Sequence, residues 1–153
     1  MKKLLIAFVF LFGMTQANAQ GIVGGAHVGL PVGDTSDNSS FELGADVAYL
    51  APLSVSSSVG ALLGFSHYFT DEGDGLSFLP IAATGRINLH ESFFLGADLG
   101  YALGLSDNVD GGFYYRPKVG FSFMGVGLVA SYSGISVNDS TVSSVNLGIE
   151  FGL

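Results

Sequence analysis

Beyond its first 19 residues the chain is apolar on average but never continuously so, and that combination excludes most folds. Mean hydropathy over the whole chain is +0.51. Only 12% of residues are charged, against roughly 25% in soluble domains. Yet after the N-terminal segment no run stays apolar for the roughly 20 residues a membrane-spanning helix needs, and glycine works against helices wherever it recurs. Instead, apolar residues alternate with small or polar ones at a period of two, the pattern of β-strands with one apolar face. Strands of this kind, with too few charges to clothe a soluble surface, fit a closed all-β barrel that turns one face to lipid and one to its lumen.

The N-terminus points to export. Lys2 and Lys3 precede an unbroken apolar run from Leu4 to Phe12, and Ala17-Asn18-Ala19 completes the pattern of a cleaved signal peptide, residues 1–19. The run is too short to span a bilayer. No cysteine follows it, so a lipoprotein anchor, a disulfide framework and thiol chemistry are all excluded. Residues 20–153 are then one domain, held together by hydrogen bonding and burial. Its only bases are Arg86, Arg116 and Lys118, against 13 acids. That balance argues against nucleic-acid binding, which requires a basic patch.

The alternation divides into eight expected strands: 21–31, 40–51, 53–69, 76–89, 93–103, 112–123, 125–133 and 141–153. Connections after the even strands are tight, at Pro52, His90-Glu91-Ser92 and Met124-Gly125. Those after the odd strands (32–39, 70–75, 104–111 and 134–140) are longer and polar. Short turns at one end and longer loops at the other are the arrangement of an up-and-down antiparallel barrel in the outer membrane, with both termini in the periplasm.

Charge placement supports this register. Apolar residues such as Phe41, Leu43, Tyr49, Ile81, Leu95, Leu99, Val119, Leu147 and Ile149 share one face of their strands. Glu42, Asp46, Arg86, Asp98, Arg116, Lys118 and Glu150 all fall on the other. The physical reason is that Arg or Lys facing lipid at mid-membrane costs about 2–4 kcal/mol. Aromatic residues gather toward the loop end (Phe41, Phe69, Phe78, Tyr101, Phe113, Tyr115, Tyr132) and the turn end (Tyr49, Phe93, Phe121, Phe123, Phe151), as two interfacial girdles would require. Pro117 lies mid-strand and removes a ladder hydrogen bond, so a bulge is expected there.

With these strands in place the chain resembles the small eight-stranded outer-membrane proteins of the OmpX and OmpA membrane-domain type. The last segment carries the most specific likeness. Asn146, Gly148, Phe151 and Leu153 are placed like the C-terminal signal read by the barrel-assembly machinery, although that signal usually ends on an aromatic residue and this chain ends on Leu153. The resemblance implies an outer-membrane location, that machinery as a partner during biogenesis, and outer-membrane lipid and lipopolysaccharide as surroundings. It implies no molecular activity.

In an eight-stranded barrel the interior is just wide enough for side chains to fill. The inward charges, with His27, are therefore expected to form a paired polar network that closes the lumen; a narrow pore is the alternative. Asp34, Asp37, Asp71, Glu72, Asp74, Asp107, Asp110 and Asp139 make the loop end acidic, which is the property of solvated loops, of divalent-cation bridging to lipopolysaccharide, or of a surface for a basic partner. No metal site is expected, because Asp71-Glu72-Gly73-Asp74-Gly75 lacks the ligands of a calcium loop and the three His are scattered. Nor is a cofactor or an enzyme activity. His90-Glu91-Ser92 has the H-x-S spacing of the lipid A deacylase family but falls in a turn on the wrong side of the membrane. His67 has Ser66 beside it, and neighbours in a strand point to opposite faces. The expectation is thus a monomeric barrel serving envelope integrity or surface interaction. A soluble lipocalin-like barrel, with its apolar face turned inward around a ligand, is the alternative that alternation alone leaves open.

Overall fold

A chain of half-apolar strands can satisfy every backbone hydrogen bond only by closing the sheet on itself. The computed structural model describes residues 21–152 and shows that closure. The strands are β1 (Ile22–Val32), β2 (Ser39–Pro52), β3 (Ser57–Thr70), β4 (Leu76–Asn88), β5 (Phe93–Gly104), β6 (Gly112–Phe123), β7 (Val126–Val137) and β8 (Ser140–Gly152). Each pairs antiparallel with its sequence neighbours, and β1 pairs with β8 through Val23↔Gly152 to Val32↔Ser143. The expected signal peptide and the terminal Leu153 lie outside the described residues.

Exposure alternates along the strands, so the structure decides which face is out. Leu43, Tyr49, Ile81, Leu99, Phe113 and Leu147 stand on the outer surface, whereas Glu42, Asp98, Arg116 and Lys118 are buried inside. A lipocalin-like barrel needs the reverse. Outer-surface aromatics form contacts at both ends: Phe41 stacks on Phe69 at 4.4 Å, and Phe93 meets Phe121 edge-on at 5.0 Å. Phe78 departs from expectation. It is fully buried in the lumen, packed edge-on against Tyr68 at 5.9 Å. It occupies an even position of β4, the face that carries Arg86, and period two puts it inside with that residue.

Connections differ from expectation in two places. β7 continues to Val137, leaving only Asn138-Asp139 before β8, so the fourth connection at the loop end is a tight turn. Val137 pairs with Ser140, and Asn138 takes the positive φ (52°) that Asn tolerates well. β3 begins at Ser57, because Leu53–Ser56 forms a turn of its own: the Leu53 and Ser54 amides donate to the Ser57 carbonyl at 2.8 and 3.2 Å. The first loop contains a 3-10 turn, Gly33–Asp37. Its Thr35 Oγ accepts from the Ser143 amide at 2.9 Å and lies 3.3 Å from the Thr141 carbonyl, fastening the loop over the β1–β8 seam. The Met124-Gly125 turn has positive φ at both residues (51° and 82°), as a type I′ hairpin demands.

Pro117 makes no bulge. It pairs with Ala97 on β5, and on the β7 side the register on either side of it, Tyr115↔Gly134 and Lys118↔Ser131, is the same. Two rungs are missing there while the spacing is kept, so the lost donor costs hydrogen bonds without adding a residue.

Inside, the buried apolar cluster is thickest at the loop end. Tyr68, Phe78, Ala102, Tyr114 and Ile135 each lie two residues from a loop-side strand end, backed by Leu76, Val109, Val137 and Val142. From there the cluster runs down the inner wall through Ala48, Leu62 and Ala82. The charged residues fill the rest.

The barrel interior as candidate functional site

Seven strands contribute side chains to one polar column. Nearest the turn end, Arg86 of β4 makes a two-pronged contact with Glu150 of β8 (2.7 Å and 2.9 Å) while its guanidinium lies 3.8 Å over the Phe94 ring. A planar fork suits a carboxylate, and its flat face suits the aromatic ring. At mid-barrel Asp98 of β5 accepts from Arg116 Nε at 2.8 Å and from Lys118 Nζ at 2.9 Å, both on β6. Arg116 Nη1 also donates to Asp46 of β2 at 2.9 Å. Asp98 is fully buried, and the two cations beside it offset the cost of burying its charge.

Toward the loop end, His27 of β1 lies between two acids, 3.7 Å from Asp46 and 3.5 Å from Glu42. Glu42 is buried and accepts from the Ser144 hydroxyl of β8. That assignment orients the rest. With the Ser144 proton directed to Glu42, the Ser133 hydroxyl of β7, 2.9 Å away, donates to Ser144 Oγ, and Asn146 Nδ2 donates to Ser133 Oγ at 3.0 Å. Donors in series that end on a carboxylate strengthen one another.

The backbone makes room for these groups through glycine. A Cβ on Gly44 would overlap the His27 ring, and one on Gly29 would overlap Asn146 Oδ1. Little space remains. One cavity of about 30 Å³, lined by His27, Asp46, Lys118, Ser131 and Glu150 among others, has room for one or two waters.

The structure thus brings together all eight residues expected inside: His27, Glu42, Asp46, Arg86, Asp98, Arg116, Lys118 and Glu150. Ser133, Ser144 and Asn146 join them. Asn146 is read in the sequence as part of the assembly signal, but its side chain is buried in this network. The clue to the last two was the register, since Ser144 and Asn146 share the even face of β8 with Glu150. Gly148 packs against His27, and Phe151 lies on the outer surface paired with Gly24 and Val126.

The acids of the loop end lie outside the column, spread over the four loop-end connections. Asp34 and Asp37 lie on the 3-10 turn, Asp71, Glu72 and Asp74 between β3 and β4, Asp107 and Asp110 between β5 and β6, and Asp139 in the last turn. Asp71 accepts from Ser40, and Asn138 Nδ2 reaches Asp110 at 3.5 Å. Among the described residues no three His, Asp or Glu side chains converge as a metal-binding group. His90, Glu91 and Ser92 lie between β4 and β5 at the opposite end.

A closed, eight-stranded antiparallel barrel with an apolar outer belt and ion-paired interior is the architecture of a small outer-membrane β-barrel. Solved structures of that kind match it throughout. The crystal structure of Ail, the attachment invasion locus protein of Yersinia pestis, superposes with a TM-score of 0.62 at 16% identity, covering 86% of this chain and 98% of that one. The outer membrane enzyme PagL gives 0.65 at 14% identity over 86% and 99% of the two chains. A de novo designed transmembrane β-barrel gives 0.62 at 14% identity over 90% and 98%. No family model matches the sequence, and no curated protein does. An attachment protein, an enzyme and a designed barrel sharing one fold leave the activity to be argued from this chain's own residues.

Proposed function

We propose that the chain is an exported, monomeric outer-membrane protein that serves envelope integrity or surface interaction as a closed barrel. The observation that carries this reading is the sorting of side chains, with every strand carboxylate, Arg and Lys inward, Glu42 hydrogen-bonded to Ser144 and the others ion-paired, and the apolar belt outward. The interior is given no reaction and no solute pathway, because the cavity of about 30 Å³ beside the interlocked ion pairs holds water and little else. No cofactor enters this reading. Lipid and lipopolysaccharide are its surroundings, and the barrel-assembly machinery meets it during biogenesis through the sequence signal that includes Phe151 and Leu153. The acidic loop end is the face offered to the exterior, and with the last connection reduced to Asn138-Asp139 it presents little surface to a partner.

The test is gel mobility of the outer-membrane fraction with and without boiling in detergent, followed by conductance in planar bilayers. A barrel of this kind appears in that fraction, shifts mobility on boiling and passes no steady current. Recovery in the soluble periplasm without a shift returns the lipocalin-like alternative. Steady conductance returns the pore.

A further inference from the structure

The interior leaves unexplained one pair on the outside of the barrel. His67 of β3 and Ser77 of β4 are direct cross-strand partners. Both occupy the odd positions that place Phe65, Phe69 and Ile81 on the outer surface. His67 Nδ1 and Ser77 Oγ are 2.7 Å apart. In the tautomer that carries its proton on Nε2, the imidazole accepts the hydroxyl proton, which is how a serine oxygen is made nucleophilic. The adjacent Ser66 points inward, so this pairing depends on strand register and not on sequence adjacency.

Both partners are held. The Phe69 ring and the imidazole pack in a T shape with centroids 4.5 Å apart, and Phe69 is itself stacked on Phe41. The Nε2 side faces Gly75, where a Cβ would approach to 2.9 Å, so the ring has its place because that residue is glycine. The Ser77 amide donates to Ser106 Oγ at 2.9 Å, and the Ser77 carbonyl accepts from Leu105 at 2.9 Å. Groups fixed on neighbouring strands keep their geometry better than groups on loops. The pair lies three residues from the end of β3 and at the second residue of β4, level with the Phe41–Phe69 stack. Aromatic girdles mark the depth where lipid chains meet headgroups, and the ester bonds of a lipid lie at that depth.

We propose that Ser77 is a nucleophile, with His67 as its general base, for carboxylic esters of lipids in the leaflet at the loop end. His67 Nδ1 takes the hydroxyl proton as Ser77 Oγ bonds the acyl carbon. The bond from that carbon to the lipid alcohol then breaks, and the alcohol leaves with the proton from His67. Water attacks the acyl-serine in the same way, its proton passing through His67 to Ser77 Oγ, and the fatty acid is released. This activity is independent of the closed interior, so either reading can fail alone.

The test uses the folded barrel in dioleoylphosphatidylcholine vesicles, with folding verified for every variant by the mobility shift on boiling. A long-chain fluorophosphonate should add once, at Ser77, as read by peptide mass spectrometry. Ser77→Ala should abolish the adduct, and His67→Gln should slow it about 100-fold or more. The vesicles should release oleate with the native protein and not with Ser77→Ala. Absence of the adduct on folded protein overturns the proposal, as does labelling that His67→Gln leaves unchanged. Labelling without oleate release overturns the hydrolytic step.

Discussion

Asp98→Asn would remove the charge that holds the middle of the column together. Asp98 has no solvent contact and receives three hydrogen bonds, one from Arg116 and two from Lys118. Arg116 keeps Asp46 at 2.9 Å, but Lys118 loses the only acid it contacts among the described residues. Breaking a buried ion pair by removing one partner costs about 3–5 kcal/mol, most of it from the stranded charge. With a urea dependence of about 2 kcal/mol per molar, the unfolding midpoint should fall by roughly 2 M. The chain has no Trp, so the assay is the fraction of protein migrating in its folded, unboiled position after equilibration with vesicles and urea. Adding Lys118→Met to Asp98→Asn removes the stranded charge and should recover part of the loss. Asp107→Asn, on an exposed loop, is the control and should move the midpoint little. An Asp98→Asn midpoint within about 0.5 M of the native one would refute the claim that these charges are shielded and mutually dependent.

Three further outcomes follow from the same geometry. Leu99→Arg places a cation on the lipid face and should cost about 2–4 kcal/mol, lowering the yield of folded barrel; normal insertion would refute the register of β5. Gly44→Ala drives a methyl group into the His27 ring, which is hemmed in by Glu42 and Asp46, and should destabilise the barrel by about 1–3 kcal/mol in the same urea assay; an unchanged midpoint would mean that His27 is free to move. Deleting Leu153 together with Phe151→Ala should reduce the amount reaching the outer membrane, measured by fractionation; undiminished levels would refute the assembly-signal reading of β8.

Period-two alternation combined with low charge determined most of this protein by itself. Lipid rejects charge and hydrogen-bonding groups must pair, so a chain of such strands has to close, and strand number, order and the inward set from Glu42 to Glu150 all follow from the pattern. Facing is one binary choice per strand, which is why the seven strand charges could be placed without knowing any contact. Partners could not. Whether Asp98 meets Arg116 or Arg86 depends on stagger between strands and on the reach of side chains across the lumen, and no one-dimensional pattern encodes either. The same holds for the end of β7, where Ile135 and Val137 look like loop residues until the apolar cluster they complete is visible, and for Pro117, whose missing donor could have been met by a bulge or by two empty rungs. His67 and Ser77 are the clearest case. Ten positions separate them in the chain, and only the register of β3 against β4 sets them side by side.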